Sequence, residues 1–339
     1  MKYFKDHFSK TGNKLHAFSV DYKDNSKYFN ASKFQPESDA KYIECMKNYL
    51  EGEYFEHHQV ILDTQQLASA LYAAVEARGF PGMADIDASL LLLCGQVKKI
   101  APVALSGEGA DEIFGGYPWF RDKLIRERFG FPWSQSTDFR KTFFTQDFAD
   151  LKNNAENYVN ARYSQAINQA DTSKAMRKDE KRVKELVNLN MKWFMQTLLE
   201  RQNKMSGGLK IRAPFCDSGI AGYLYNVPWE YKDYNNTEKG LLRTAVQGLL
   251  PDEVLWRKKS PYPKTHNPAY LNAVSKILAG IINEPSSPLL KIADKHALAN
   301  LIALAPDIKW YGQLMNSPQI IAYFVQVNYW LDKYKIRII

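Results

Sequence analysis

One short stretch of the chain concentrates groups that could do chemistry. It reads Leu105-Ser106-Gly107-Glu108-Gly109-Ala110-Asp111-Glu112-Ile113-Phe114-Gly115-Gly116-Tyr117. Three carboxylates, Glu108, Asp111 and Glu112, fall within five residues, next to Gly107 and Gly109, whose missing side chains let a backbone approach a ligand closely. A helix starting near Ala110 would turn its unpaired N–H groups toward an anion. Carboxylates beside a phosphate cradle call for a cation, and magnesium with oxygen ligands is the natural one. The bland alternative is a turn followed by acidic residues that complement a helix dipole, but two glycine pairs and three acids exceed what a turn needs. The segment is not a Walker loop, because no Gly-Lys-Ser or Gly-Lys-Thr follows. Nor is Ser106 in a nucleophile elbow, since Ala104 stands where that motif needs glycine.

Other candidates are ambiguous taken singly. Lys259, beside Lys258, reads alone as surface charge. Arg212 is either a clamp for a substrate carboxylate or a partner in a buried ion pair. Asp85 and Asp87 could line the same pocket. His57 and His58 are adjacent, and on a strand neighbouring side chains point to opposite faces, so the two do not chelate one metal together.

The elements that must position these groups follow from the rhythm of apolar residues. Residues 15–22 and 57–63 are β-type runs, and residues 102–105 form a short apolar run stopped by Ser106-Gly107. Between them Leu67, Leu71 and Val75 recur at helical spacing, and residues 89–99 form a further helix. Strand alternating with helix predicts an α/β arrangement around a parallel sheet over residues 10–125, and in such sheets ligands bind outside the carboxyl ends of the strands. Beyond about residue 140 helical spacing takes over, as in residues 183–201 and 318–334. The mixed charges of residues 178–182 read as a solvated helix face.

Composition removes several classes. With 339 residues, 45% of them hydrophobic and 24% charged, the chain can build a large core in about two domains or one enlarged α/β domain. Three widely spaced cysteines, Cys45, Cys94 and Cys216, suggest neither a disulfide scaffold nor a cysteine metal site and fit a reducing cytoplasm. The densest apolar stretch, residues 320–330, is interrupted by Gln326 and Asn328 and is too short to span a bilayer. The net charge of +8 is dispersed, which makes a basic nucleic-acid or protein interaction module the weakest reading.

Residues 106–117 resemble the Ser-Gly-Glu-X-X-Asp-Glu-X-Phe-Gly-Gly-Tyr signature of the asparagine synthetase family, in its synthetase half. Two distant segments are similar to family blocks in the same order: residues 201–205 with Arg212-Ala213-Pro214-Phe215-Cys216-Asp217, and Lys239-Gly240-Leu241-Leu242-Arg243 with Leu250-Pro251 and Arg257-Lys258-Lys259. The resemblance implies an adenine-nucleotide α-hydrolase-like (PP-loop ATPase) α/β part over residues 1–135 and a mostly helical part over residues 136–339. It further implies that ATP, with Mg2+, adenylates the side chain of aspartate and that ammonia displaces AMP to give asparagine. Carried over residue by residue, Val20 falls where backbone meets adenine, and Ser106 and Gly107 fall at the nucleotide. Glu108 matches the acid that serves formation and aminolysis of the acyl-adenylate, Asp111 a magnesium–pyrophosphate ligand, and Lys259 the lysine on the phosphates. Arg212 and Tyr117 fall on the substrate side.

Departures from the family pattern are equally specific. Lys2 stands where glutamine-hydrolysing members carry a catalytic cysteine, and the Ser-Gly-Gly-X-Asp-Ser pyrophosphate loop is absent, since Ser206-Gly207-Gly208 lacks the aspartate and serine. Residues 1–10 resemble the tail of the helix that follows that loop, so the sheet is expected to lack its first, central strand. A companion chain carrying the loop and the glutaminase domain is therefore expected, with a homo-oligomer left open. The competing expectation is a truncated or degenerate member that binds nucleotide without chemistry. Lys210 replaces the family's usual glutamate two positions before Arg212.

Overall fold

Strand and helix alternate through the first third of the chain in the computed structural model, which describes residues 5–31, 35–50, 52, 54–134, 138–173, 175, 177–305 and 315–338. Helix α1 (Lys5–Thr11) leads into strand β1 (Leu15–Tyr22), in line with a helix tail over residues 1–10, of which 1–4 lie outside the described residues. Helix α2 (Ala40–Tyr49) and strand β2 (Phe55–Leu62) follow. β1 and β2 pair in parallel, Leu15 beside Phe55 and Tyr22 beside Leu62.

Helix α3 (Thr64–Arg78) starts where Asp63 and Gln66 cap each other reciprocally, and it stops at Gly79, whose φ of 85° only glycine adopts without strain. Its expected inward stripe, Leu67, Leu71 and Val75, is fully buried. Helix α4 (Asp85–Ile100) begins four residues before the expected 89, which puts Asp85 and Asp87 in its buried first turn.

Strand β3 (Val103–Leu105) departs from the single sheet expected from the sequence. It pairs in parallel with β4 (Lys210–Arg212), so that the described residues form two two-stranded sheets. β4 lies inside the half read as helical. Three residues with one apolar member, Ile211, carry no alternation to read; Ile211 and Ala104 pack on the core while Val103 and Leu105, 47% and 71% exposed, face away from it. Helix α5 (Ala110–Phe114) follows β3 directly after the Ser106-Gly107-Glu108-Gly109 turn.

The helical remainder supplies both the core and one further site element. Helix α6 (Ala149–Asn168) precedes the region expected to be one helix over residues 183–201. That region is helix α7 (Lys178–Leu189), a π-helical segment (Asn190–Phe194) and helix α8 (Met195–Met205). Asn190 is wholly buried and its amide donates to the Leu186 carbonyl at 2.7 Å, a side chain inserted into the backbone ladder where the π segment begins. Helices α9 (Pro268–Asn283) and α10 (Ser317–Lys333) close over α3. The main core joins buried residues of β1, α3 and α4 to α9 and α10, so residues before and after 135 share it. Gln326 is accounted for inside this apolar surface: its amide donates to the Leu71 carbonyl and accepts from Gly82 N–H.

Residues 257–267 run across the carboxyl ends of both sheets. Lys259 reaches Asp111 beyond β3, Tyr22 at the end of β1 donates to the Pro263 carbonyl at 2.8 Å, and His266 N–H donates to the Asn25 side chain at 2.7 Å. Such a strap ties the two small sheets to one face.

Candidate active site

The turn after β3 is tied down on one side and open on the other. Ser106 N–H donates to the Arg212 carbonyl, continuing the β3–β4 pairing, and Ser106 Oγ accepts from the Gln202 amide at 2.9 Å and from Glu108 N–H at 3.3 Å. Gly109 has φ 96°, and a Cβ there would sit 2.6 Å from Cys216 Sγ, so both conformation and packing demand glycine. A Cβ on Gly107 would meet nothing within 4 Å, which leaves free space above that peptide.

Glu108 lies at the end of a line of alternating charges. Asp87, fully buried, accepts from Arg78 at 3.2 Å and from Met83 N–H at 2.9 Å, and stands 3.6 Å from Arg201 Nε. Arg201 Nη2 is 3.9 Å from Glu108 Oε1. Burial pushes the Glu108 carboxyl above its usual range, with Arg201 and Lys259 pulling partly against it. Its Oε2 is buried with no hydrogen-bond partner among the described residues. A carboxylate of raised proton affinity with an unused lone pair can accept a proton from a bound amine.

Asp111 is held between two ammonium groups, Lys239 at 2.7 Å and Lys259 at 2.9 Å. Burial acts to raise its carboxyl, but Lys259 and Lys239 overcome that and hold it below the usual range. The conformation serving this pair is strained: Lys239 has φ 55°, and the next residue must be Gly240 because a Cβ there would lie 2.3 Å from the Tyr234 carbonyl. Glu112, 1% exposed, accepts from Tyr117 OH at 2.5 Å. Burial raises the Glu112 carboxyl, and the Tyr117 hydrogen bond partly offsets this. The Tyr117 ring stacks on Trp119 and lies 5.7 Å from the Lys259 ammonium.

The structure therefore brings Ser106, Gly107, Glu108, Asp111, Tyr117 and Lys259 together at the carboxyl end of β3. Val20 lies on the other sheet, buried, two residues before the tyrosine that the 257–267 strap engages. Arg212 is exposed on β4 and its side chain makes no ion pair among the described residues; Lys210 is exposed on the same face, so its charge costs little. Lys239 and the structural role of Arg201 were not read from the residues themselves. The available signal for Lys239 was the glycine after it; Arg201 sits on a helix interrupted by the π segment, which hides its direction.

Asp85 does not reach this cluster. It is fully buried under α10, accepts from the Gln319 amide at 3.1 Å through Oδ2, and has no partner for Oδ1 among the described residues. Burial raises its carboxyl to about 6, with Gln319 opposing. A raised folded-state value contributes stability that is complete below the unfolded value near ~3.9 and is lost as pH rises through about 6. Asp85→Asn keeps the bond to Gln319 and is expected to stabilise the chain at pH ~8 by about 3 kcal/mol and to change nothing near pH ~4, as read from urea midpoints. Equal effects at both pH values would contradict this.

Among the described residues no helix is long and apolar enough to cross a membrane. The comparisons with known proteins converge on one family. The asparagine synthase family model matches residues 4–332. The chain is 42% identical over 338 residues to the glutamine-hydrolysing asparagine synthetase 3 of Bacillus subtilis, covering 98% of this chain and 54% of that protein. It is 26% identical over 229 residues to asparagine synthetase 1 of the same organism, covering 58% of this chain and 36% of the relative. Against the asparagine synthetase of Mesocricetus auratus it is 24% identical over 214 residues, 61% of this chain and 29% of the relative. The chain thus spans about half the length of the first of these relatives and less of the others. With the Ser106–Tyr117 turn, the charge line through Arg201 and the paired lysines on Asp111 lying inside the matched region, this chain belongs to the asparagine synthase family.

Proposed function

We propose that the chain performs the synthetase half-reaction of an asparagine synthase: ATP-dependent amidation of aspartate through a β-aspartyl-AMP intermediate. The observation that supports it most is the pairing of one proton-accepting carboxylate, Glu108, with two lysines gathered on Asp111 beside it. Ammonium must lose a proton before its nitrogen can attack an acyl carbon, and Glu108 Oε2 is a desolvated acceptor for that proton. Lys259 and Lys239 present compact positive charges to a departing pyrophosphate. Ser106 and Gly107 offer a hydroxyl and uncovered backbone to the nucleotide, Val20 its strand backbone to adenine, and Tyr117 and the exposed Arg212 contacts to the amino-acid substrate. When bound with ATP, Mg2+ supplies charge neutralisation on the phosphates; Asp111 would hold it by releasing one of its lysines to them.

The pyrophosphate loop and a glutaminase site come, in this reading, from polypeptide outside these 339 residues. The test supplies aspartate, ATP, magnesium and ammonia and measures pyrophosphate and asparagine. The chain is expected to be silent alone and active once a polypeptide carrying the loop is added. Continued silence with that polypeptide present, despite nucleotide binding, would favour a degenerate member instead.

A further inference from the structure

The face of the β1–β2 sheet carries a second constellation, at the amino-terminal end of the strands and away from Glu108 and Lys259. In the parallel register His16 lies beside Glu56 and Phe18 beside His58, so these four side chains share one face. His16 Nδ1 and His58 Nε2 are 2.9 Å apart, and Glu56 Oε1 is 3.6 Å from His58 Nε2. One ligand atom from each of His16, Glu56 and His58 falls within 4.8 Å of the others, and all three side chains are half-buried. His57 points to the opposite face and binds Ser19 at 2.9 Å, as the strand alternation requires. The partner of His58 is instead 42 residues upstream on the neighbouring strand, a distance that no local spacing reveals.

We infer that His16, His58 and Glu56 form a binding site for a divalent first-row transition metal, with zinc as the representative ion. Two imidazoles and one carboxylate are a complete three-ligand set for zinc with a fourth position left to water. Ligand nitrogens on one tetrahedral zinc stand about 3.3 Å apart, so the rings need to open by only about 0.4 Å from their 2.9 Å contact. In the metal-free pair one of the two facing nitrogens carries the shared proton; moving it to the other nitrogen of the same ring frees both lone pairs without loss of a proton. The remaining geometry is prepared. The His58 ring is stacked on Phe18 with centroids 4.8 Å apart, and Lys14 bonds Glu56 through Oε2, leaving Oε1 turned to the rings. A bound ion would clamp β1 to β2 at the end of a sheet that has only these two strands among the described residues.

The test titrates zinc into the chelator-stripped chain by calorimetry and records the visible spectrum of the cobalt-substituted protein. One zinc per chain is expected, with a rise in Tm because only the folded sheet assembles the site. His58→Ala and Glu56→Gln are expected each to weaken binding about tenfold or more, since even loss of an outer partner costs about that much. His57→Ala should leave it unchanged. A His16→Ala/His58→Ala chain that binds zinc as well as the parent would overturn the site, as would a cysteine-to-cobalt charge-transfer band.

Discussion

Glu108→Gln is expected to lower ammonia-dependent asparagine formation by about 10³-fold in the reconstituted reaction while leaving the thermal midpoint unchanged or higher. Proton acceptance by a positioned side chain is worth roughly 10²–10⁴ in rate, and glutamine keeps the shape but not the basicity. The stability half of the expectation follows from the direction of the shift. Burial raises the Glu108 carboxyl in the folded chain, so its favourable contribution is complete below the unfolded value and is lost as pH rises through the folded one. Near neutral pH the ionised group therefore costs stability, and removing its charge relieves that cost. Arg201 retains Asp87 as a counter-charge in the variant. The parent's acid limb should lie at higher pH than an ordinary glutamate gives and should vanish in Glu108→Gln. Amide formation against pH, with thermal denaturation of the same samples, checks both halves. A rate loss below about tenfold, or a fall in Tm matching the fall in rate, would remove Glu108 from the proton-transfer role.

Asp111→Asn is expected to destabilise the chain by roughly 2–3 kcal/mol and to make its Tm depend on added pyrophosphate. Breaking a fully buried ion pair costs about 3–5 kcal/mol because the surviving charge is stranded. Here the value is lower because Asp111, Lys239 and Lys259 keep 17%, 20% and 24% of their side-chain exposure. The folded Asp111 carboxyl lies below its usual range, so the stability it supplies is present above the unfolded value and is lost as pH falls through the folded one. That acid-side loss should be missing in the variant. Without the carboxylate, Lys239 and Lys259 lose the counter-ion they share, and a multivalent anion takes its place, which raises the midpoint by mass action. Urea melts with and without pyrophosphate measure this. An unchanged midpoint, or one indifferent to pyrophosphate, would mean that the lysines are not an anion site.

The parts of this arrangement that sequence made legible are those written in consecutive residues. The turn from Ser106 to Gly116 shows its glycines, acids and helix start within a dozen positions, and Leu67, Leu71 and Val75 declare their buried face by spacing alone. Long-range pairings left no such trace. β3 finds its partner across more than a hundred residues in Lys210-Ile211-Arg212, three residues too few to display a period, so one expected sheet resolved into two. Lys239 reaches Asp111 from a residue with positive φ, and Arg201 reaches Glu108 from a helix whose rotation local propensity does not fix. In the sequence, Asp87 is one of two aspartates that could line the pocket. Its actual place, between Arg78 and Arg201, depends on packing α4 against α8.

The π-helical segment at Asn190–Phe194 governs the angular phase of everything after it. An α-helix advances about 100° per residue, and a π turn amounts to one residue inserted into that count. Wound instead as an uninterrupted α ladder with every residue kept, the segment would swing the following side chains round the axis by about 100°. Arg201 would leave Asp87 and Glu108, and Gln202 would leave Ser106. The π turn, which takes up one residue of the count between Leu186 and Arg201, is therefore as tightly bound to the chemistry as the identity of the arginine, and a copy of this segment one residue shorter would aim that arginine the same way only as a plain α-helix.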